Sequence, residues 1–205
     1  MVTVVVRVWM PDRPGALGQV ASRIGAVRGD VLAIEILEHG AGRAIDELMV
    51  SLPDEQLISL LTAEVDAVDG VSVESIRVVD EDRTDPSLAS LALCAAVAES
   101  LPDERVQVLA AGVARIIEAD WVAVMRAGTL VEHVGESPEL GWLSAFLAGS
   151  EHLDGVDDSA PSDLVWVHLQ ASGLTLAAGR AGHPIHERER VRVSLVGRLA
   201  DTLLA

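Results

Sequence analysis

The sequence predicts an α+β protein of two domains, a βαββαβ unit followed by an α/β sandwich with an antiparallel sheet, and three observations carry that expectation. The stretch from Trp9 to Ile36 reads strand, sharp turn, helix, turn, strand. Over residues 1–80 the apolar pattern switches between a two-residue and a 3.6-residue period in the order β, α, β, β, α, β. Residues 80–86, DEDRTDP, are charged, carry a proline and have no apolar rhythm. The expected division is therefore 1–80, a linker at 81–86, and 87–205. Half of the 205 residues are apolar, enough to bury two small cores.

In the first domain, Val4, Val6 and Val8 alternate with Thr3, Val5 and Arg7, as a β-branched strand does, and the Pro11 to Pro14 stretch ends it near Met10. Asp12 is the expected helix N-cap with Pro14 in the first turn, and Leu17, Val20, Ala21, Ile24 and Val27 recur on one helical face until Gly29. Leu32, Ile34 and Ile36 then alternate, and HGAGRA turns the chain into a third strand over 45–52. Pro53 and Asp54 open a second helix carrying Leu57, Leu60, Leu61 and Val65. Asp69 and Gly70 lead into a last strand at 71–79. Two helices on one face of a four-stranded antiparallel sheet bury this pattern most simply.

Gly15 is a poor residue for a helix start, so close approach is its expected purpose. Without a Cβ there, the free N–H groups of the first turn can face a small anion such as an amino-acid carboxylate, or another stretch of backbone. The DRPGALG turn, the Gly-Asp-Val entry to the next strand and the AIDELMVSLP strand resemble the ACT domain, a small amino-acid-binding regulatory module. That resemblance covers about 3–80. It implies a ferredoxin-like fold that dimerises, with ligand held between the strand–helix turn of one subunit and a strand of its neighbour. Carried over position by position, it marks Asp12, Pro14, Gly15, Ala16 and Leu17 as the ligand-facing turn and Val31 as the residue opposite. Val31 stands where several amino-acid-binding members carry an asparagine.

Beyond the linker, residues 88–99 and 104–118 read as helices, the second capped by Ser100 or Asp103. ADWVAVM and TLVEHV form a strand pair around Ala127-Gly128, and 137–148 a helix with Ser137 as cap and Pro138 at its first position. Residues 149–163 are an acidic loop. Residues 164–170 and 174–178 make a hairpin around Ala171-Ser172-Gly173, and a helix from His186 to Leu204 closes the chain, Glu189 lying at capping-box spacing from His186. The run GLTLAAGRAGHPIHERERVRVSLVGRLADTLL resembles the end of a GAF domain, a sensory module of varied ligands, over about 87–204.

The strand LVWVHLQ sends Val165, Val167 and Leu169 to one face and Trp166, His168 and Gln170 to the other. The second face is either a pocket, joined by Trp121 and Met125 and roofed by the acidic loop, or an ordinary core face. His183 and His186 lack further fixed ligands, so no metal is expected, and Cys94 in LALCAAVA reads as a small core residue. One cysteine excludes an intramolecular disulfide. The formal charge of −17 argues against nucleic acid and anionic membranes: residues 1–80 carry 6 arginines against 13 acids, and 81–205 carry 9 against 19. No nucleotide-binding glycine motif, nucleophile elbow or paired catalytic carboxylates stand out. The expected protein is a cytoplasmic, non-catalytic homodimer without cofactor that binds an amino acid or similar metabolite at an ACT interface and signals through a GAF-like domain to an unidentified protein partner. The alternative is a structural dimerisation module with unoccupied pockets.

Overall fold

A computed structural model describes residues 1–150 and 161–205, which form two compact units, Met1–Arg83 and Thr84–Ala205. The first contains β1 (Val2–Pro11), α1 (Ala16–Ala26), β2 (Asp30–Gly40), β3 (Arg43–Leu52), α2 (Ile58–Asp66) and β4 (Ser72–Val79). Its sheet has the order β2-β3-β1-β4, and each pair is antiparallel. Two-residue alternation puts Val4, Val6, Val8 and Met10 of β1 beside Leu48, Val50 and Leu52 of β3, and Val20, Ile24, Leu61 and Val65 of the helices close the same core. The β2–β3 hairpin is tight because Ala41 and Gly42 both take positive φ (51° and 77°), the geometry that matches the twist of the flanking strands.

The expected start of α1 is corrected. Asp12 is not its N-cap: Pro11 still pairs with Arg43, and the Asp12 N–H donates to the carbonyl of Gly42 at 3.0 Å, so the chain turns only after the hairpin contact. Pro14 consequently lies outside the helix, and Gly15 is the N-cap, at φ +87°. At the other end α1 stops at Ala26, ahead of Gly29, and the left-handed residue of its cap is Arg28 (φ 62°). The Arg28 N–H donates to Gly25 and the Gly29 N–H to Ile24, closing a Schellman motif. Gly29 is needed for close packing instead, since a Cβ there would lie 2.8 Å from Ile24 Cγ2 and 3.2 Å from Leu52 Cδ2.

On the sheet face away from these helices, Arg7 and Glu47 stand opposite each other and pair at 2.8 Å, with only 2% and 5% of their surfaces exposed. Arg83 reaches the other carboxylate oxygen at 3.1 Å and Arg77 lies 3.6 Å away. Burial by itself pushes the Glu47 carboxyl up, but the charges of Arg7, Arg83 and Arg77 outweigh it and hold the group below its ordinary value.

The second unit comprises α3 (Pro86–Glu99), α4 (Arg105–Ile116), β5 (Trp121–Arg126), β6 (Thr129–Val134), α5 (Leu140–Gly149), β7 (Leu164–Leu169), β8 (Leu174–Gly179) and α6 (Glu187–Leu204). Its antiparallel sheet has the order β6-β5-β8-β7. Val165, Val167 and Leu169 pack with Leu93, Leu109, Val113, Val193 and Val196 of α3, α4 and α6, so the aliphatic face of β7 meets these helices. Asp85 caps α3 by accepting from the N–H groups of Ser87 and Leu88 (2.9 and 3.0 Å), a cap the sequence reading did not assign. The α4 N-cap is Glu104, without a side-chain bond, in place of Ser100 or Asp103. Helix α5 begins at Leu140 after N-cap Glu139, so Ser137 and Pro138 lie outside it.

The Arg-x-Gly-x-Pro-Ile run has a structural role. The Arg180 guanidinium is bidentate to Glu189 (2.9 and 2.6 Å) and donates to the carbonyls of Ile117, His183 and Pro184, tying the end of β8 to the start of α6. Glu189 also accepts from the His186 N–H at 2.9 Å. Arg190 donates to Ile185, Leu164 and Pro161, fixing the entry of β7. At the other end of α6, Asp201 holds the β7–β8 turn by accepting from the N–H groups of Ala171 and Ser172 and from the Ser172 hydroxyl.

Candidate functional site

The site begins at the exit of β1. The Ala16 N–H donates back to Arg13 and the Gln19 N–H to Gly15, while the N–H groups of Leu17 and Gly18 have no backbone acceptor among the described residues. Two donors at the positive end of α1 are therefore left to meet an anion. Asp12, Arg13, Pro14 and Gly15 are exposed, Leu17 is half-buried, and Ala16 is buried against the core, anchoring the turn beneath them. A Cβ built on Gly15 meets no atom within 4 Å, so the glycine serves the positive φ and leaves open space above the turn. Beside the turn, Trp9 donates from Nε1 to Glu74 at 3.0 Å, and the Arg43 guanidinium lies 5.3 Å from the centre of its ring.

Val31 lies elsewhere in the same chain. It pairs with Val50, which pairs with Val4, so it belongs to the sheet end opposite the turn. From Val4 to Pro11 the strand advances roughly 23 Å at its usual rise. One copy therefore cannot bring the turn and Val31 together. The strand bearing Val31, β2, is an edge of the sheet, and it exposes Leu32, Ile34 and Ile36 at 45%, 46% and 48%. An edge strand with an open hydrogen-bonding side and uncovered apolar residues suits pairing with a second copy.

One polar residue of this region was not singled out from sequence. Asp46 is 4% exposed and lies in β3 opposite Val8 on one side and Ile36 on the other. The alternation that puts Ala44, Leu48 and Val50 in the helix-covered core puts Asp46 on that face too. Its Oδ1 is buried without a hydrogen-bond partner among the described residues. Burial first, and then the charge of Asp12, push its carboxyl above the ordinary value. The signal was present in the sequence, as an acid at a core-phase position of AIDELMV.

In the second unit, Trp121, Met125 and Trp166 gather on the sheet face opposite α3, α4 and α6, where Leu143, Phe146 and Leu147 of α5 cover them. Trp166 is 1% exposed and meets the Phe146 ring edge-on at 5.1 Å, and Phe146 stacks on Trp142. His168 shares a hydrogen bond between Nδ1 and the Thr175 hydroxyl at 3.1 Å. Trp166 Nε1 and His168 Nε2 are buried without an acceptor or donor among the described residues. The expected acidic lid at 149–163 falls for the most part outside the described residues. Cys94 is half-buried against the helical core, and burial raises its thiol above the ordinary value. Among the described residues no group of three or more His, Cys, Asp or Glu side chains is placed to hold a metal, and no helix is long and apolar enough to cross a membrane.

Residues 4–70 match the ACT domain family, and the first unit contains that domain. The match stops short of the second unit. No curated protein matches the chain. Among solved structures, a formyltetrahydrofolate deformylase from Pseudomonas putida KT2440 is similar at 15% identity with a TM-score of 0.29, over 43% of this chain and 36% of that one. An unknown protein from Galdieria sulphuraria is similar at 14% identity with a TM-score of 0.33, over 86% of this chain and 78% of that one.

Proposed function

We propose that this chain is a non-catalytic regulatory protein that binds an amino acid, or a similar small metabolite, between two copies of its ACT domain and transmits the occupied state through its second, GAF-like unit. The observation that carries this reading is the separation of the two halves of the site. The turn with the unpaired N–H groups of Leu17 and Gly18 lies at one end of the sheet and Val31 at the other. An antiparallel arrangement of two β2 edges would bring the turn of one copy towards Val31 of the partner subunit. The apolar residues on that edge support it. A ligand seated there touches both copies, so it stabilises one mutual arrangement over another by its differential affinity, and the second unit, joined at Thr84, presents the difference to a partner. Such a protein works as a homodimer in the cytoplasm and needs no cofactor.

A second reading, that the domain serves only to join two copies, is favoured by Val31 itself. An aliphatic side chain offers no hydrogen bond to the polar head of an amino acid. The two readings separate in an amide NMR titration of the dimer with each of the twenty amino acids. Saturable shifts at Leu17 and Gly18 support the sensor, and a dimer with unmoved turn amides supports the structural module.

A further inference from the structure

We infer that Asp46 is the acceptor for the cationic end of the ligand, which makes the ligand class a small metabolite bearing an ammonium group, a free amino acid before any plain carboxylic acid. The inference rests on the reading just proposed and names the group in that site that selects its ligand. A carboxylate on a residue only 4% exposed, with one oxygen meeting no donor among the described residues, is costly unless something satisfies it. Nothing in the strand register supplies that partner. Its neighbours across the ladder are Val8 and Ile36, and the charged group acting on it is a second acid, Asp12, in the ligand-facing turn. The local charge therefore calls for a cation, and no cluster of three or more ligating side chains is present among the described residues to make that cation a metal.

Asp46 is also placed to work with the donors of α1. It lies opposite Val8, three positions before Pro11, roughly 10 Å along the strand from where the turn begins. It faces the side of the sheet on which α1 packs, and Asp12 is near enough to raise its pKa. A zwitterion has the two charges this arrangement lacks: its carboxylate answers the N–H groups of Leu17 and Gly18, and its ammonium answers Asp46. Val31 then needs to provide no polar contact, because the head group is held from the turn and β3.

The test uses the full chain as a dimer. Titration calorimetry compares each amino acid with its deamino acid and its decarboxylated amine, alanine with propionate and ethylamine for example, on the wild type and on Asp46→Asn. The inference expects the best-bound amino acid to weaken about tenfold or more in Asp46→Asn, the loss of one charge-assisted contact. It expects the deamino acid to bind the wild type weaker by a similar factor and to be indifferent to the substitution. Equal affinity of the amino acid for both proteins overturns the inference and leaves the amino-acid reading standing. If no amino acid and no amine binds the wild type, both fall together. Should Asp46→Asn fail to fold, the wild-type comparison decides: a deamino acid that binds as tightly as its amino acid overturns the inference.

Discussion

Replacing Glu47 by alanine removes the acid that Arg7, Arg83 and Arg77 share, and takes from the Arg7 guanidinium, itself 2% exposed, its buried partner at 2.8 Å. Breaking a buried pair in this one-sided way costs about 3–5 kcal/mol, because the surviving charge keeps its desolvation penalty. Arg83 and Arg77 retain about a fifth of their surface in water, so the loss of their interactions adds little. Glu47→Gln keeps the shape and an acceptor and should cost less, about 1–3 kcal/mol. The double substitution Arg7→Met with Glu47→Met should recover most of the loss, since an apolar pair of similar volume has no desolvation to offset. Hydrogen exchange of the β1 and β3 amides reads these changes in the first unit without assuming that the chain unfolds in one step. Because the folded-state pKa of Glu47 is lowered, its contribution is present above the unfolded carboxylate value of about 4.5 and is lost as pH falls through the folded one. Glu47→Gln should accordingly flatten the acid limb of stability below that value. A single-variant cost under about 1 kcal/mol, or a double variant no better than the single, refutes the argument.

Three further outcomes follow from the geometry. Gly15→Ala should cost about 1–2 kcal/mol through its left-handed backbone alone, since no atom obstructs the new Cβ, and Gly15→Val more, and both should weaken amino-acid binding while the dimer persists; unchanged affinity would remove the turn from the site. Asp201→Ala leaves the N–H groups of Ala171 and Ser172 without their acceptor and should cost about 1–3 kcal/mol in a thermal melt, and a loss too small to resolve would deny that this carboxylate holds the turn. Ile34→Asp sets like charges against one another across paired β2 edges and should shift the protein towards monomer in sedimentation; an undisturbed dimer would place the interface elsewhere.

Where apolar period decided the outcome, the sequence was readable. The valines of β1 and the aliphatic half of β7 point to the cores that their alternation required. Helix starts were less legible, for a tertiary reason. Asp12 and Ser137, each followed within two residues by proline, look like ideal openings, yet Asp12 is tied to the β2–β3 hairpin through the Gly42 carbonyl and α5 waits until Leu140. A cap pattern shows where a helix is able to begin, and the end of sheet pairing decided where α1 did begin. Gly29 taught a related lesson, because its lack of a side chain serves packing against Ile24 and Leu52 while Arg28 takes the left-handed turn. As for the site, the turn was readable through Gly15, but the distance of Val31 from it depends on strand order, which no local pattern encodes. Asp46 was visible as an acid in apolar phase, but its meaning depends on the fold leaving its Oδ1 without a partner among the described residues.

A sensor of this kind must bind an amino acid in its folded state. A thermal-shift screen with the twenty amino acids measures this directly, since a ligand that binds only the native state at a hundredfold its Kd adds about 2.7 kcal/mol of stability. The prediction is a saturable rise in the unfolding midpoint with one amino acid or a few chemically related ones, reduced in Gly15→Ala. A midpoint unmoved by all twenty at millimolar concentration, in a protein that is still a dimer, would contradict the sensor and leave a module whose ACT domain only joins two chains.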